Sequence, residues 1–172
     1  MFLPAPLPRT IFEEIGKVVV IWATIEQDII LQTSAMAAQK TDGKPTDYLR
    51  MDFRRLREKW FSLCREYFDT ITFNKIVNPL NVELCRLSEQ RGLIVHGRWT
   101  KRSRGQFQLN CFEQKSNLVH YETDVSLATL RTIRHDSYLL SKRVHRFTAG
   151  DPSFKDGKLP VLKEIGPVSP DH

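Results

Sequence analysis

The stretch Arg91-Gly92-Leu93-Ile94-Val95-His96-Gly97-Arg98-Trp99 holds the residue types and spacing that could do chemistry. An arginine is a permanent cation whose planar fork can hold a phosphate through two parallel N–H bonds. A histidine carries the side chain whose proton exchanges near neutral pH. Together they form a kit for gripping or cutting a phosphodiester.

Geometry sets a condition on that chemistry. Five residues along a regular helix turn a side chain by about 140°, so Arg91 and His96 share a face only if the helix unwinds near its end. Gly92 and Gly97 both permit such unwinding. The partial negative charge at a helix C-terminus would then favour a protonated His96. Arg91 also falls on an apolar stripe, where a buried guanidinium needs a partner. Glu26, between Ile25 and Ile29 on an earlier helix, is one supporting candidate, with Asp28 beside it. The alternative is structural: an ion-paired Arg91 and a His96 that caps the helix.

The elements that must position these residues are mostly helices. Thr10 with Glu13 three positions on has the form of a capping box. Ile11, Ile15, Val18, Trp22, Ile25, Ile29 and Met36 then recur at steps of three and four, interrupted only by Gln32. That spacing predicts one amphipathic helix to about Ala38. A loop with Gly43 and Pro45 follows. Leu49, Phe53, Leu56, Trp60, Leu63 and Tyr67 mark a second helix, with Arg50, Arg54, Arg55, Arg57, Lys59 and Arg65 on its other faces. Asn78-Pro79 signals the start of a third helix. Its stripe is Leu80, Leu84, Leu87, Arg91 and Ile94, and Gly97 is its stop. Period-two alternation over Gln106–Phe112 and the β-prone Leu118–Tyr121, separated by Lys115-Ser116-Asn117, predict a small hairpin. Asp124 is the expected cap of a last helix bearing Leu127, Leu130, Ile133, Leu140, Val144 and Phe147.

The fold class is therefore all-α: a bundle of four to five helices with a small β-hairpin inserted before the last long helix. Residues 1–8 read as a Pro-rich arm, residues 9–149 as the helical domain and residues 150–172 as a Pro/Gly-rich tail without its own core. A chain of 172 residues with 41% hydrophobic and 27% charged residues can bury a sizeable core as one domain. The net charge of +6 points to an anionic partner. Three widely spaced cysteines, Cys64, Cys85 and Cys111, fit a reducing, cytoplasmic setting. The N-terminus lacks the pattern of a secretory leader, and no apolar run approaches a membrane span, so no membrane partner is expected. His120, His135, His145 and His172 show no metal-site spacing with cysteines or carboxylates, and no metal or other cofactor is expected.

Past the histidine, Arg98, Lys101, Arg102 and Arg104 place four cations within seven residues, with Trp99 among them. Such a flank can track an RNA backbone while the indole stacks a base. The competing reading is a solvated loop whose tryptophan packs on the bundle.

Arg91, His96 and the string around them resemble the signature of the HEPN superfamily of small helical domains, and the helix succession over residues 10–147 follows it loosely. The resemblance implies a homodimer in which the arginine and histidine of two copies meet in one cleft. It further implies a metal-independent endoribonuclease that needs no cofactor. In that role Arg91 holds the scissile phosphate and His96 assists proton transfer around the attacking 2′-hydroxyl. Domains of this kind commonly serve bacterial toxin–antitoxin and phage-defence systems, which would add an antitoxin or regulatory protein as a partner. One departure is Gly92, where active members usually carry a polar residue directly after the arginine. The family also contains inactive members that work as RNA- or protein-binding and dimerisation modules, the second function the resemblance allows.

Overall fold

The computed structural model describes residues 7–39, 48–101, 107–114 and 118–150, with 101, 110–114 and 118–123 described by their backbone alone. The element order is α1 (Arg9–Ala38), a 3₁₀ turn (Tyr48–Arg50), α2 (Phe53–Tyr67), the short α3 (Thr70–Thr72), a π-helical turn (Phe73–Val77), α4 (Asn78–His96), β1 (Arg98–Lys101), β2 (Phe107–Gln114), β3 (Leu118–Val125) and α5 (Leu127–Thr148). The architecture is the expected all-α one with a small antiparallel β element ahead of the last helix. Most of the Pro-rich arm, the tail from residue 151, Arg102 and Arg104 lie outside the described residues.

Several boundaries differ from the sequence expectation, each for a local reason. The amide of Ile11 donates to the carbonyl of Pro8 at 2.9 Å, so α1 starts two residues early, at Arg9. Thr10 is not its cap, and Glu13 pairs with Arg9 at 2.8 Å instead of reaching back to a capping amide. Asp52 caps α2 by accepting from the amide of Arg55 at 3.0 Å. Leu49 therefore precedes that helix, 74% exposed, while its neighbour Tyr48 is buried. α4 does begin at Asn78-Pro79, but Asn78 is itself helical and does not cap it. Asp69 caps the run instead, accepting from the amides of Ile71 and Thr72, and the chain passes through the π turn into α4. Asp124 sits in β3, and the cap of α5 is Ser126, whose hydroxyl accepts from the amide of Thr129 at 3.0 Å. Short polar side chains near several candidate starts compete for this role, and backbone direction decides among them.

The chain divides into two compact units. The first comprises Met1–Ile25 and Val82–Lys142. Its buried apolar residues are Ile11, Val18, Trp22 and Ile25 of α1, Leu84, Leu87 and Ile94 of α4, Leu130, Ile133 and Leu140 of α5, and Phe107, Leu109 and Val125 of the sheet. That sheet has three strands where two were expected, in the antiparallel order β1-β2-β3. The added strand is β1, drawn from the basic flank that reads as a loop. Its register sets Trp99 opposite Leu109 and Lys101 opposite Phe107, and Phe107 opposite Val125 on β3. Cross-strand partners share a face, so Trp99 joins the buried side of the sheet.

The second unit comprises Glu26–Asn81 and Arg143–His172. Its core gathers Ile29, Met36, Tyr48, Leu56, Trp60, Leu63, Cys64, Phe68, Val77, Leu80, Val144 and Phe147. Gln32, the interruption in the α1 stripe, is buried there because its Oε1 accepts from Trp60 Nε1 at 2.6 Å. Phe147 packs edge-on against Trp60 at 6.2 Å between ring centroids. Tyr67 keeps its ring on the core and donates its hydroxyl to the carbonyl of Met36 at 2.6 Å.

Candidate functional site at the end of α4

Helix α4 carries the Arg–His pair, and it does not unwind. Residues 91–96 are all α-helical through Gly92, and the amide of Gly97 still donates to the carbonyl of Leu93 at 2.8 Å. Among the described glycines only Gly150, at the end of α5, has a positive φ, of 67°. Gly97 ends α4 without a left-handed residue, because the chain turns directly into β1. The unwinding that would have put Arg91 and His96 on one face is therefore absent. In the regular helix their side chains diverge by about 140°.

The two faces differ in environment. Arg91 continues the stripe of Leu80, Leu84, Leu87 and Ile94, half-buried, with its Nε buried and without a hydrogen-bond partner among the described groups. Gln90 Oε1 beside it is in the same condition. His96 is exposed and falls on the outer stripe of α4. Glu26 is half-buried at the start of the second unit, and Arg91 has no ion pair among the described residues. The arrangement within one copy can present an imidazole or hold a guanidinium against a surface, but it does not aim both at one atom.

Gly92 sits on this helix with open space around it, since an added Cβ would meet nothing within 4 Å. Glycine in a helix interior costs roughly 0.5–1 kcal/mol relative to alanine. Gly92→Ala should therefore raise stability by about that amount in urea unfolding. A loss would mean that something requires close backbone approach at this position.

The basic flank is only partly as expected. Trp99 packs edge-on against Phe107 at 6.5 Å and donates its Nε1 proton to the carbonyl of Ile94 at 3.1 Å. Its indole therefore belongs to the closure of α4, satisfying a C-terminal carbonyl, and not to a base-stacking platform. Arg98 is exposed on the opposite face of β1. The side chain of Lys101, like Arg102 and Arg104, lies outside what is described.

Two charged clusters emerge that sequence reasoning did not assemble. In the first unit, Glu14 is buried, with Arg134 Nε at 2.8 Å and Lys17 Nζ at 3.0 Å from its carboxylate oxygens. Burial alone would raise its pKa. The hydrogen bond from Lys17 and the charges of Arg134, Lys17 and Arg131 outweigh that and hold it below the usual carboxylate value. Three cations around one carboxylate leave this surface positive. In the second unit, buried Asp28 faces His145 Nδ1 at 3.4–3.5 Å, leaving an imidazole that is largely in solvent. A carboxylate on Nδ1 is the contact that orients an imidazole for proton transfer. The two residues are 117 positions apart, so no spacing rule could have joined them.

Cys64 is buried, which pushes its thiol far above the ordinary range and makes it a poor nucleophile. Among the described residues no group of three or more histidines, cysteines or carboxylates could hold a metal ion, and no helix is long and apolar enough to cross a membrane. Compared with family models, curated proteins and solved structures, the chain finds no match.

Proposed function

We propose that this chain is a HEPN-like dimerising module that binds RNA, with Arg91 and His96 not acting as a catalytic pair. The observation that carries the reading is the unbroken α4, which turns the two side chains of one copy to different faces, so that only a second copy could bring an arginine to a histidine. Gly92, lacking a polar group beside the arginine, is in keeping with a binding role. The net charge of +6 and the excess of cations around Glu14 supply the attraction for a polyanion.

The test pairs a cleavage assay in EDTA with a binding titration. Wild type and His96→Ala prepared identically should both leave RNA intact. Arg91→Ala should still bind, and affinity should fall about 50-fold between 50 and 200 mM salt if four phosphates of a single strand are contacted. No affinity for RNA would sink the reading. The other reading, a metal-independent endoribonuclease of toxin or phage-defence type, draws on the solvent-exposed His96 and the unpartnered Nε of Arg91. Cleavage in EDTA that leaves 2′,3′-cyclic phosphate ends and vanishes in His96→Ala would establish that reading instead.

A further inference from the structure

The outer face of α4 within the first unit is a single exposed stripe of Val82, Arg86, Glu89 and Leu93, ending on His96. Its steps alternate between four and three, the spacing of a seam that packs against another helix. Val82 is 60% and Leu93 38% exposed, so both ends of the seam present apolar surface to solvent. Arg86 reaches Asp136 of α5 at 3.4 Å but stays half-exposed. Glu89 Oε1 is approached only weakly by Cys85 Sγ, at 3.7 Å. Leu139, three residues on from Asp136 and so on the same side of α5, is also exposed.

The order along the stripe is symmetric. Val82 and Leu93 are equally distant from the point between Leu87 and Ser88, and so are Arg86 and Glu89. We propose that two copies of this chain pair through α4, antiparallel, about a two-fold axis at that point. Each Arg86 then faces the partner's Glu89, and each Val82 faces the partner's Leu93. A two-fold contact requires such self-complementarity, because residue i meets j wherever j meets i. Parallel pairing would set Arg86 on Arg86 and Glu89 on Glu89, so charge selects the antiparallel orientation. An unrelated partner would need no symmetry in the stripe. In this register His96 stands about 18 Å along the axis from the partner's Arg91. Pairing through α4 thus keeps the two apart between copies as well as within one.

This inference rests on the dimer in the function proposed above, and charge reversal separates the two. Wild type should sediment at twice the 20.0 kDa of one chain. Glu89→Arg and Arg86→Glu should each weaken the dimer at least about tenfold, because the two-fold repeats each repulsion. The double variant Arg86→Glu/Glu89→Arg should regain dimerisation, with far-ultraviolet circular dichroism confirming helix in all three. Because Arg86→Glu also loses Asp136, cross-linking gives a second reading. In a Cys85→Ser background, Val82→Cys copies should form disulfides with Leu93→Cys copies faster than with themselves. A wild type that is monomeric at every concentration overturns both the pairing and the dimer of the module. A dimer indifferent to the reversals, or one with preferential self-cross-links, overturns the α4 pairing alone.

Discussion

Trp60→Ala should destabilise the protein by about 3–5 kcal/mol, the largest effect expected of any single truncation here. Trp60 is fully buried in the second unit, edge-on to Phe147, and its indole N–H is tied to Gln32. Truncation removes the ring's buried area, opens a cavity that its helical walls cannot fully collapse, and leaves Gln32 Oε1 without its donor. Urea unfolding followed by circular dichroism measures the loss. Gln32→Leu separates the contributions, because it keeps the ring but strands its N–H, at about 1–3 kcal/mol. A cost below 1 kcal/mol for Trp60→Ala would mean that the second unit does not unfold cooperatively around this residue.

Glu14→Ala should cost about 1–3 kcal/mol, below the range for a wholly buried pair, because the cations left behind remain in reach of water. Arg134 is 39% and Lys17 52% exposed at the side chain, which sets that discount. The pH dependence has a defined sign. The folded-state pKa of Glu14 lies below its unfolded value, so the unfolded chain binds the proton more readily. The stabilisation is fully present above the ordinary carboxylate value of about 4.3 and is lost as pH falls through the lowered folded value. Thermal melts of wild type and Glu14→Gln should therefore converge as the pH drops through that window. Parallel curves would show that the carboxylate contributes no linked stability.

Both effects concern contacts that only the folded chain makes, and that division runs through the molecule. The stripe of Leu56, Trp60 and Leu63 and that of Leu80, Leu84, Leu87 and Ile94 were legible in the sequence. Helical periodicity is a local property, and the same spacing that reveals a stripe also buries it. The β character of residues 107–112 and 118–121 was legible too, through period-two alternation in the first and β-prone side chains in the second. Helix starts were less so. Thr10 and Asp124 look like caps, yet Pro8 and Ser126 precede the helices, and α4 begins at Asn78 only as the continuation of a run that Asp69 caps. A capping side chain works only where the preceding backbone is extended, and that direction is set by what the segment packs against.

For the candidate site, the sequence by itself determined that an arginine and a histidine lie near the end of one helix, with Gly92 between them. Tertiary structure decided that the helix stays regular through Gly92, because the C-terminal turn is closed by Trp99 donating to Ile94 and by the chain entering β1. It also decided that Trp99 packs inward against Phe107 and that Gln32 is the buried partner of Trp60. The two charged clusters, Glu14 with Arg134 and Asp28 with His145, were invisible beforehand for the same reason. Periodicity reports which side of an element faces inward. Which residues meet there depends on how distant segments are brought together, and no spacing along the chain encodes that.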